Sequence, residues 1–235
     1  MTLPWLDSTA GLAQADLNVQ RIRQELTARL AKEIPGQEAC RKTITLLTRI
    51  WVRVPPEHRV LQSEALSLIS TVLPEERLWL HWGMSLLAYP FFHDVAATAG
   101  RLLKLQLEFS SVQVQRRMRE SWGQRTTLER AVSRLLKTYA TWKVTTEAPE
   151  GGYTYRVTGL RQTSNEKLAL WFMACLLWSS RQANRRNDLE LPLLDLLQSP
   201  AIFPFDLTDH IGALRRSTRF EISRQGLNLE MVTPV

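Results

Sequence analysis

The stretch from residue 101 to 158 constrains the fold most, because its apolar side chains change from a helical to a strand spacing. Val114, Met118 and Trp122 recur at intervals of four, which predicts one apolar face of a helix. The two serines before this run can cap the start of that helix. Gly123 follows the run, as expected of a residue that ends a helix. The spacing therefore predicts a short helix with a tight turn after it.

A second helix is predicted from about residue 127 to 141. Thr126 and Glu129 have the spacing of a capping box, in which each side chain binds a backbone N–H near the start of a helix. Apolar residues then follow at steps of four, three, four and three, and they predict its buried face: Leu128, Val132, Leu135, Tyr139 and Trp142.

A hairpin is predicted after the second helix. Residues 144–146 and 153–157 are rich in β-branched and aromatic side chains, and residues 147–152 between them have the composition of a turn. A helix, a turn, a second helix and a hairpin follow one another in this order in a winged helix-turn-helix. We therefore predict that fold for the module.

Positive charge is concentrated on this module. Between residues 101 and 143 there are ten Lys and Arg against three Glu, a local net charge of +7. The whole chain has 30 Lys and Arg against 23 Asp and Glu, also +7, so the remaining residues are balanced. A basic surface concentrated in this way is expected of a protein that neutralises nucleic-acid phosphates.

The candidate contacts with double-stranded DNA lie on both helices, the turn and the hairpin. One set shares the face of the second helix opposite its apolar side, where it would enter the major groove, and the hairpin would follow the adjacent backbone or minor groove. The candidate residues are Arg116, Arg117, Arg119, Arg125, Thr127, Arg130, Arg134, Lys137, Thr141, Tyr153 and Arg156. If the stripe on the second helix does not bind DNA, the alternative DNA-binding surface is formed by Arg181, Arg185 and Arg186 together with the C-terminal hairpin.

The whole chain is predicted to be mainly α-helical, in three parts. Residues 1–90 predict an antiparallel helical bundle that begins with an extended arm and one long helix at 10–33. Residues 91–160 contain the winged module. Residues 161–235 predict a buried central helix followed by short helices and a β-hairpin. The sequence leaves open whether that last helix and hairpin form a second, degenerate winged element.

The sequence gives no support for a catalytic, metal or cofactor site. Adjacent His93 and Asp94 are predicted to point to different faces of a helix. Phosphate-binding and Rossmann glycine patterns and a nucleophile elbow are lacking. No histidine has zinc-ligand spacing to another ligand type: His58, His81, His93 and His210. We therefore expect a non-catalytic protein without a cofactor or metal.

Cysteine usage and the start of the chain predict a cytoplasmic protein. Cys40 and Cys175 lack metal-type partner spacing, so we expect reduced thiols in the core. The first basic residue is Arg21, which argues against a charged signal-peptide region. The longest apolar run, residues 168–178, is too short to span a bilayer. We expect no membrane association.

The layout resembles that of a known family. A helical first part leads into a module containing residues 122–130 (WGQRTTLER), and the chain ends in a helix and hairpin with residues 224–227 (RQGL). This arrangement resembles the BrxA family, small accessory proteins encoded with BREX phage-exclusion systems. The resemblance covers the layout of most of the chain and offers no catalytic motif. It implies a small, non-catalytic, DNA-binding bacterial protein that acts beside larger defence proteins.

Two other functions remain open from the sequence. Winged modules also dock onto protein partners, so the chain is alternatively an interaction subunit of a larger complex. Helical proteins with basic faces also bind RNA, which gives the third possibility.

Overall fold

The chain is mainly helical and contains small antiparallel sheets, which confirms the predicted mainly α-helical fold class. The computed structural model describes residues 1–148, 153–184, 189–226 and 229–235. It divides into two compact units, Met1–Ala88 and Tyr89–Val235. The finer domain ranges stay predictions.

The first unit consists of α-helices joined by short connections. Its centre is the last helix, whose residues from Leu78 to Leu87 are all buried because apolar side chains lie on every face. The helices are α1 (Leu3–Ala15), α2 (Val19–Leu30), α3 (Gln37–Trp51), α4 (Arg59–Leu68) and α5 (Arg77–Ala88), with 3₁₀ turns at Pro56–His58 and Pro74–Glu76.

The start of the chain differs from its prediction. Instead of an extended arm and one long helix, α1 and α2 are separate helices with a break at residues 16–18. Pro4 lies in the first turn of α1, where its missing N–H costs no hydrogen bond. Asn18 caps α2, since its side-chain oxygen accepts hydrogen bonds of 3.1 Å from the backbone N–H groups of Gln20 and Arg21. This local cap outweighs the continuous apolar spacing that predicted one helix.

The second unit alternates helices with short strands. Its central helix is buried from Trp171 to Leu177, which confirms the predicted core helix. The elements are α6 (Pro90–Leu105), β1 (Glu108–Ser110), α7 (Ser111–Trp122), α8 (Leu128–Thr141), β2 (Thr145–Glu147), β3 (Thr154–Val157), α9 (Glu166–Asn184), β4 (Leu191–Pro192), α10 (Leu193–Leu197), α11 (Ile211–Arg216), β5 (Phe220–Gln225) and β6 (Leu229–Pro234), with 3₁₀ turns at Pro200–Ile202 and Thr208–His210.

The first sheet has the order β1-β3-β2, and both pairs of strands are antiparallel. Phe109 of β1 lies opposite Tyr155 of β3, and their buried rings stack with centroids 5.6 Å apart. The sequence predicted β2 and β3 but not β1. The turn was predicted at residues 147–152, but Glu147 belongs to β2, where it pairs with Tyr155 of β3. Residues 149–152 of that prediction lie outside the described residues.

The second sheet has the order β4-β6-β5 and is also antiparallel. Its long pair, β5 and β6, is the predicted C-terminal hairpin, and residues 227–228 of that prediction lie outside the described residues. The two-residue strand β4 was not predicted, because Pro192 within it favours the start of a helix.

Candidate nucleic-acid interface

Helix α7 is capped as the serines before it predicted. The Ser110 side chain accepts a hydrogen bond of 3.2 Å from the Gln113 backbone N–H, and the Gln113 side chain accepts one of 2.8 Å from the Ser110 N–H. This reciprocal pair satisfies two N–H groups that lack helical partners. At the other end Gly123 has a φ of 75°, a backbone conformation that costs glycine little. The short first helix and its tight end are therefore confirmed.

The predicted capping box of α8 is wrong. Thr127, not Thr126, is the residue before the helix, and it makes no side-chain capping hydrogen bond. The Glu129 carboxylate instead lies 3.5 Å from the Arg119 guanidinium of α7. An ion pair between the two helices has replaced the local cap.

The buried face of α8 agrees with the prediction except at one position, where Leu136 is buried instead of Leu135. Leu128, Val132, Leu136 and Tyr139 are buried, whereas Leu135 is only partly buried. Both leucines fit a helical spacing. The packing of α8 against α6, α7 and β2 selects the 128, 132, 136 row for the core.

The opposite face of α8 is exposed and basic. Arg130, Arg134, Lys137 and Thr141 are all exposed on it. We call these four residues the basic stripe. Their spacing of four, three and four places them on one side of the helix, away from the buried row. The faces of α8 thus separate core packing from a surface of three cations.

The other predicted contact residues are also accessible. Arg119 is partly exposed and the remainder are exposed: Arg116, Arg117, Arg125, Thr127, Tyr153 and Arg156. Arg181 lies in the last turns of α9, with its guanidinium 5.6 Å from the centre of the Trp178 ring. Arg185 and Arg186 lie outside the described residues.

Ion pairs divide the predicted cations into two classes. Arg117, Arg119 and Arg156 lie 3.5, 3.5 and 2.7 Å from carboxylates of Glu120, Glu129 and Glu108. These pairs are solvent-exposed and so contribute little stability. Within the described part of the chain, the remaining cations make no ion pair: Arg116, Arg125, Arg130, Arg134 and Lys137. This second class is available to an external anion.

Tyr153, the residue before β3, brings the hairpin to the basic stripe. The Lys137 ammonium lies 6.0 Å from the centre of the Tyr153 ring, at the outer limit of a cation–π contact. Tyr153 is 60% exposed and has a φ of 59°. Its carbonyl accepts a 2.9 Å hydrogen bond from the Ser111 N–H at the start of α7. The structure thus brings the predicted hairpin residue Tyr153 to the same surface as the stripe.

Two side chains that the sequence did not single out hold α7 against α8. The Gln115 amide donates hydrogen bonds to the Ser133 hydroxyl, at 3.0 Å, and to the Glu129 carbonyl, at 3.4 Å. Nothing in the spacing of these polar residues indicates the contact, because it depends on how the two helices cross.

Helix α6 holds the other end of α7 through Asp94. The Trp122 indole N–H donates a 2.8 Å hydrogen bond to Asp94, and the Trp122 ring packs edge-on against Phe91 at 5.2 Å. His93 Nδ1 lies 3.1 Å from the second Asp94 oxygen. The prediction that His93 and Asp94 diverge was wrong, because neighbouring side chains on one turn can lean towards each other. Asp94 is thereby fixed between His93 and Trp122.

No protein-family model, curated protein or solved structure matches the chain. The function of the surface therefore has to be inferred from its own chemistry. Across residues 1–148, 153–184, 189–226 and 229–235, no group of three or more His, Cys, Asp or Glu side chains is placed to hold a metal ion. In the same residues no helix is long and apolar enough to cross a membrane. Cys40 and Cys175 are buried free thiols, as predicted.

Proposed function

We propose that the chain binds double-stranded DNA through a winged helix-turn-helix formed by α6 to β3. The order of helix, strand, two helices and two strands, with the first strand paired to the third, is typical of that motif. In this motif α8 would be the recognition helix, α7 would cross the DNA backbone, and β2 with β3 would form the wing.

The basic stripe is the observation that carries the proposal. Arg130, Arg134 and Lys137 are exposed on one face, and no described carboxylate pairs with them. Each of them would release a condensed counterion on meeting a phosphate, which is the main source of affinity for a nucleic acid. The buried row on the other side of α8 leaves the stripe facing outward, so no rearrangement of the helix is needed.

The shape of the surface favours DNA over RNA. The stripe lies on an α-helix of 14 residues. The major groove of B-DNA, about 12 Å wide, admits a helix, whereas that of A-form RNA is too narrow for side chains to read. The exposed basic face of a helix is therefore suited to a DNA duplex.

The accessory role is a separate part of the proposal. The resemblance to the BrxA family supports a non-catalytic protein that acts beside larger phage-defence proteins. We expect the purified chain to leave duplex DNA intact when magnesium, manganese or ATP is present. Reproducible magnesium-dependent cleavage that disappears when a carboxylate is changed would contradict this role.

The binding experiment compares two matched double variants by fluorescence anisotropy. Arg130→Ala with Arg134→Ala removes two unpaired cations of the stripe. Arg215→Ala with Arg216→Ala removes two exposed cations of the same unit that are ion-paired, at 2.8 Å to Glu230 and 3.0 Å to Glu166. The probes are a DNA duplex, its single strands and an RNA hairpin.

We expect the wild type to bind the duplex most tightly. The first variant should lose about two or more orders of magnitude in affinity, because each lost charge-assisted contact is worth about 1.5–3 kcal/mol. The second variant should bind like the wild type, with unchanged circular dichroism for both. Tighter binding of the RNA hairpin than of the duplex, or equal duplex binding by the stripe variant, would contradict the proposal.

A further inference from the structure

The second half of the Tyr89–Val235 unit repeats the topology of the first half. Among the described residues, α6, β1, α7, α8, β2 and β3 are followed by α9, β4, α10, α11, β5 and β6. Both sheets are antiparallel with the third strand in the middle, β1-β3-β2 and β4-β6-β5. We call residues 90–157 the first copy and residues 166–234 the second copy.

In contrast to those of the first copy, the second and third helices of the second copy carry no unpaired cation among the described residues. Its third helix, α11, carries Arg215 and Arg216, and both are paired with carboxylates of the same copy. Its second helix, α10, carries Asp195 and no cation, whereas α7 carries three arginines. This arrangement does not favour contact with phosphates.

The two copies differ most between their second and third helices. In the first copy this connection is the turn at residues 123–127, but in the second it runs from residue 198 to 210 and contains two 3₁₀ turns. Residues 198–203 of this longer connection pack against the first copy, and we call them the bracing segment. The departure from the repeat is therefore a part of the second copy that contacts the first, as α9 also does.

The bracing segment lies directly against α6. A Cβ built on Gly100 of α6 would lie only 2.0 Å from the Pro200 carbonyl oxygen, so the two backbones approach as closely as glycine alone permits. The Lys104 ammonium donates a 2.8 Å hydrogen bond to the Gln198 carbonyl. These contacts hold the segment in place over the first copy.

The same segment reaches the inner face of α8. The Phe203 ring packs against the Tyr139 ring with centroids 5.9 Å apart. Tyr139 also packs against Phe92 of α6, with ring centroids 5.6 Å apart, and it is fully buried. Tyr139 is on the side of α8 opposite the basic stripe. A displacement at this contact would therefore move the stripe.

We propose that the second copy braces the first, and that Phe203 is a positioning residue which acts through Tyr139 to hold the basic stripe. The effect on DNA affinity rests on the proposed function. The effect on α8 itself does not, so the two can be tested separately.

Amide hydrogen exchange of the full-length protein tests the brace without DNA. In Phe203→Ala, the amides of α8 should exchange about tenfold faster or more, because an aromatic contact and its packing are lost. The slowest amides of α9, between Trp171 and Leu177, should keep their wild-type rates. Phe203→Leu should restore most of the protection of α8. Leu194→Ala changes a side chain of the second copy that is 66% exposed, and it serves as the control without effect.

The outcomes separate the brace from the DNA-binding function. We expect Phe203→Ala to weaken duplex binding about tenfold with unchanged circular dichroism, since misplacing a contact residue costs affinity. Unchanged exchange in α8 would overturn the brace. Equal acceleration in α8 and α9 would also overturn it, because equal acceleration shows only a general loss of stability. Faster exchange confined to α8 in a protein whose wild type binds no duplex would keep the brace and refute the DNA-binding function.

Discussion

At the scale of single residues, the two adjacent leucines of α8 give the most direct test of the helix orientation. Leu136 is fully buried and Leu135 only partly. Leu136→Ala should lower the free energy of unfolding by about 2–5 kcal/mol through lost burial and a cavity. Leu135→Ala should cost clearly less, and Arg134→Ala on the stripe should stay within about 0.5 kcal/mol of the wild type. Urea unfolding that ranks Leu135 above Leu136 would show that the stripe has been assigned to the wrong face.

A second residue-scale prediction concerns His81 in the first unit. His81 is fully buried, with Nε2 3.1 Å from Asp7, and its Nδ1 has no hydrogen-bond partner among the residues that the structure describes. Burial lowers the pKa of His81 below its ordinary value, although the Asp7 carboxylate opposes this shift. The folded protein therefore binds fewer protons at this site than the unfolded chain does at pH values below about 6.5.

Stability should consequently fall as the pH drops through this range. The contribution of His81 is fully present above about pH 6.5 and is lost as the pH falls towards the lowered pKa of the folded state. Burial also lowers the pKa of His58, which acts in the same direction. Urea unfolding at pH 7.5 and 5.5 should show a smaller loss for His81→Gln than for the wild type. An equal loss in both proteins would assign the acid sensitivity to other groups.

At the scale of elements, the starts of helices α7 and α8 provide a matched pair. Ser110→Ala removes a capping hydrogen bond to Gln113 and should cost about 0.5–2 kcal/mol of stability. Thr126→Ala changes a residue of the predicted capping box, which is not formed at the start of α8. Its free energy of unfolding should therefore stay within about 0.5 kcal/mol of the wild type. Thermal melts with a larger loss for Thr126→Ala would contradict the cap assignment.

The elements that the sequence predicted well are those specified by local spacing. Helix α8, the end of α7 at Gly123 and the C-terminal hairpin each follow from periodicity and one punctuating residue. Strand β1 was missed because it has three residues and exists through pairing with β3, more than forty positions later. The break at Asn18 was missed because a cap of two hydrogen bonds interrupts an apolar spacing that runs through it.

The same distinction applies to the candidate site. The basic stripe could be predicted, since helical spacing places Arg130, Arg134 and Lys137 together. The division into paired and unpaired cations could not, because Glu108 and Arg156 meet only through the pairing of β1 with β3. The choice of Leu136 over Leu135 likewise depends on tertiary packing.

At the scale of the whole molecule, the net charge of +7 is concentrated in one region of the chain. The region from residue 101 to 143 carries the same net charge as the chain. On α7, the turn and α8, five cations make no ion pair with any described residue. A non-specific role in solubility would not require that concentration. Binding to a polyanion does, and its affinity should depend steeply on salt.

The salt dependence of duplex binding tests the proposed DNA-binding surface most directly. With five phosphate contacts, a plot of log K against log salt concentration should be linear with a slope of roughly −4 to −5. The Arg130→Ala, Arg134→Ala variant should have a slope that is shallower by about 2, while the Arg215→Ala, Arg216→Ala variant keeps the wild-type slope. Wild-type binding that is insensitive to salt, or a stripe variant with an unchanged slope, would contradict the assignment of the basic stripe as the DNA-binding surface.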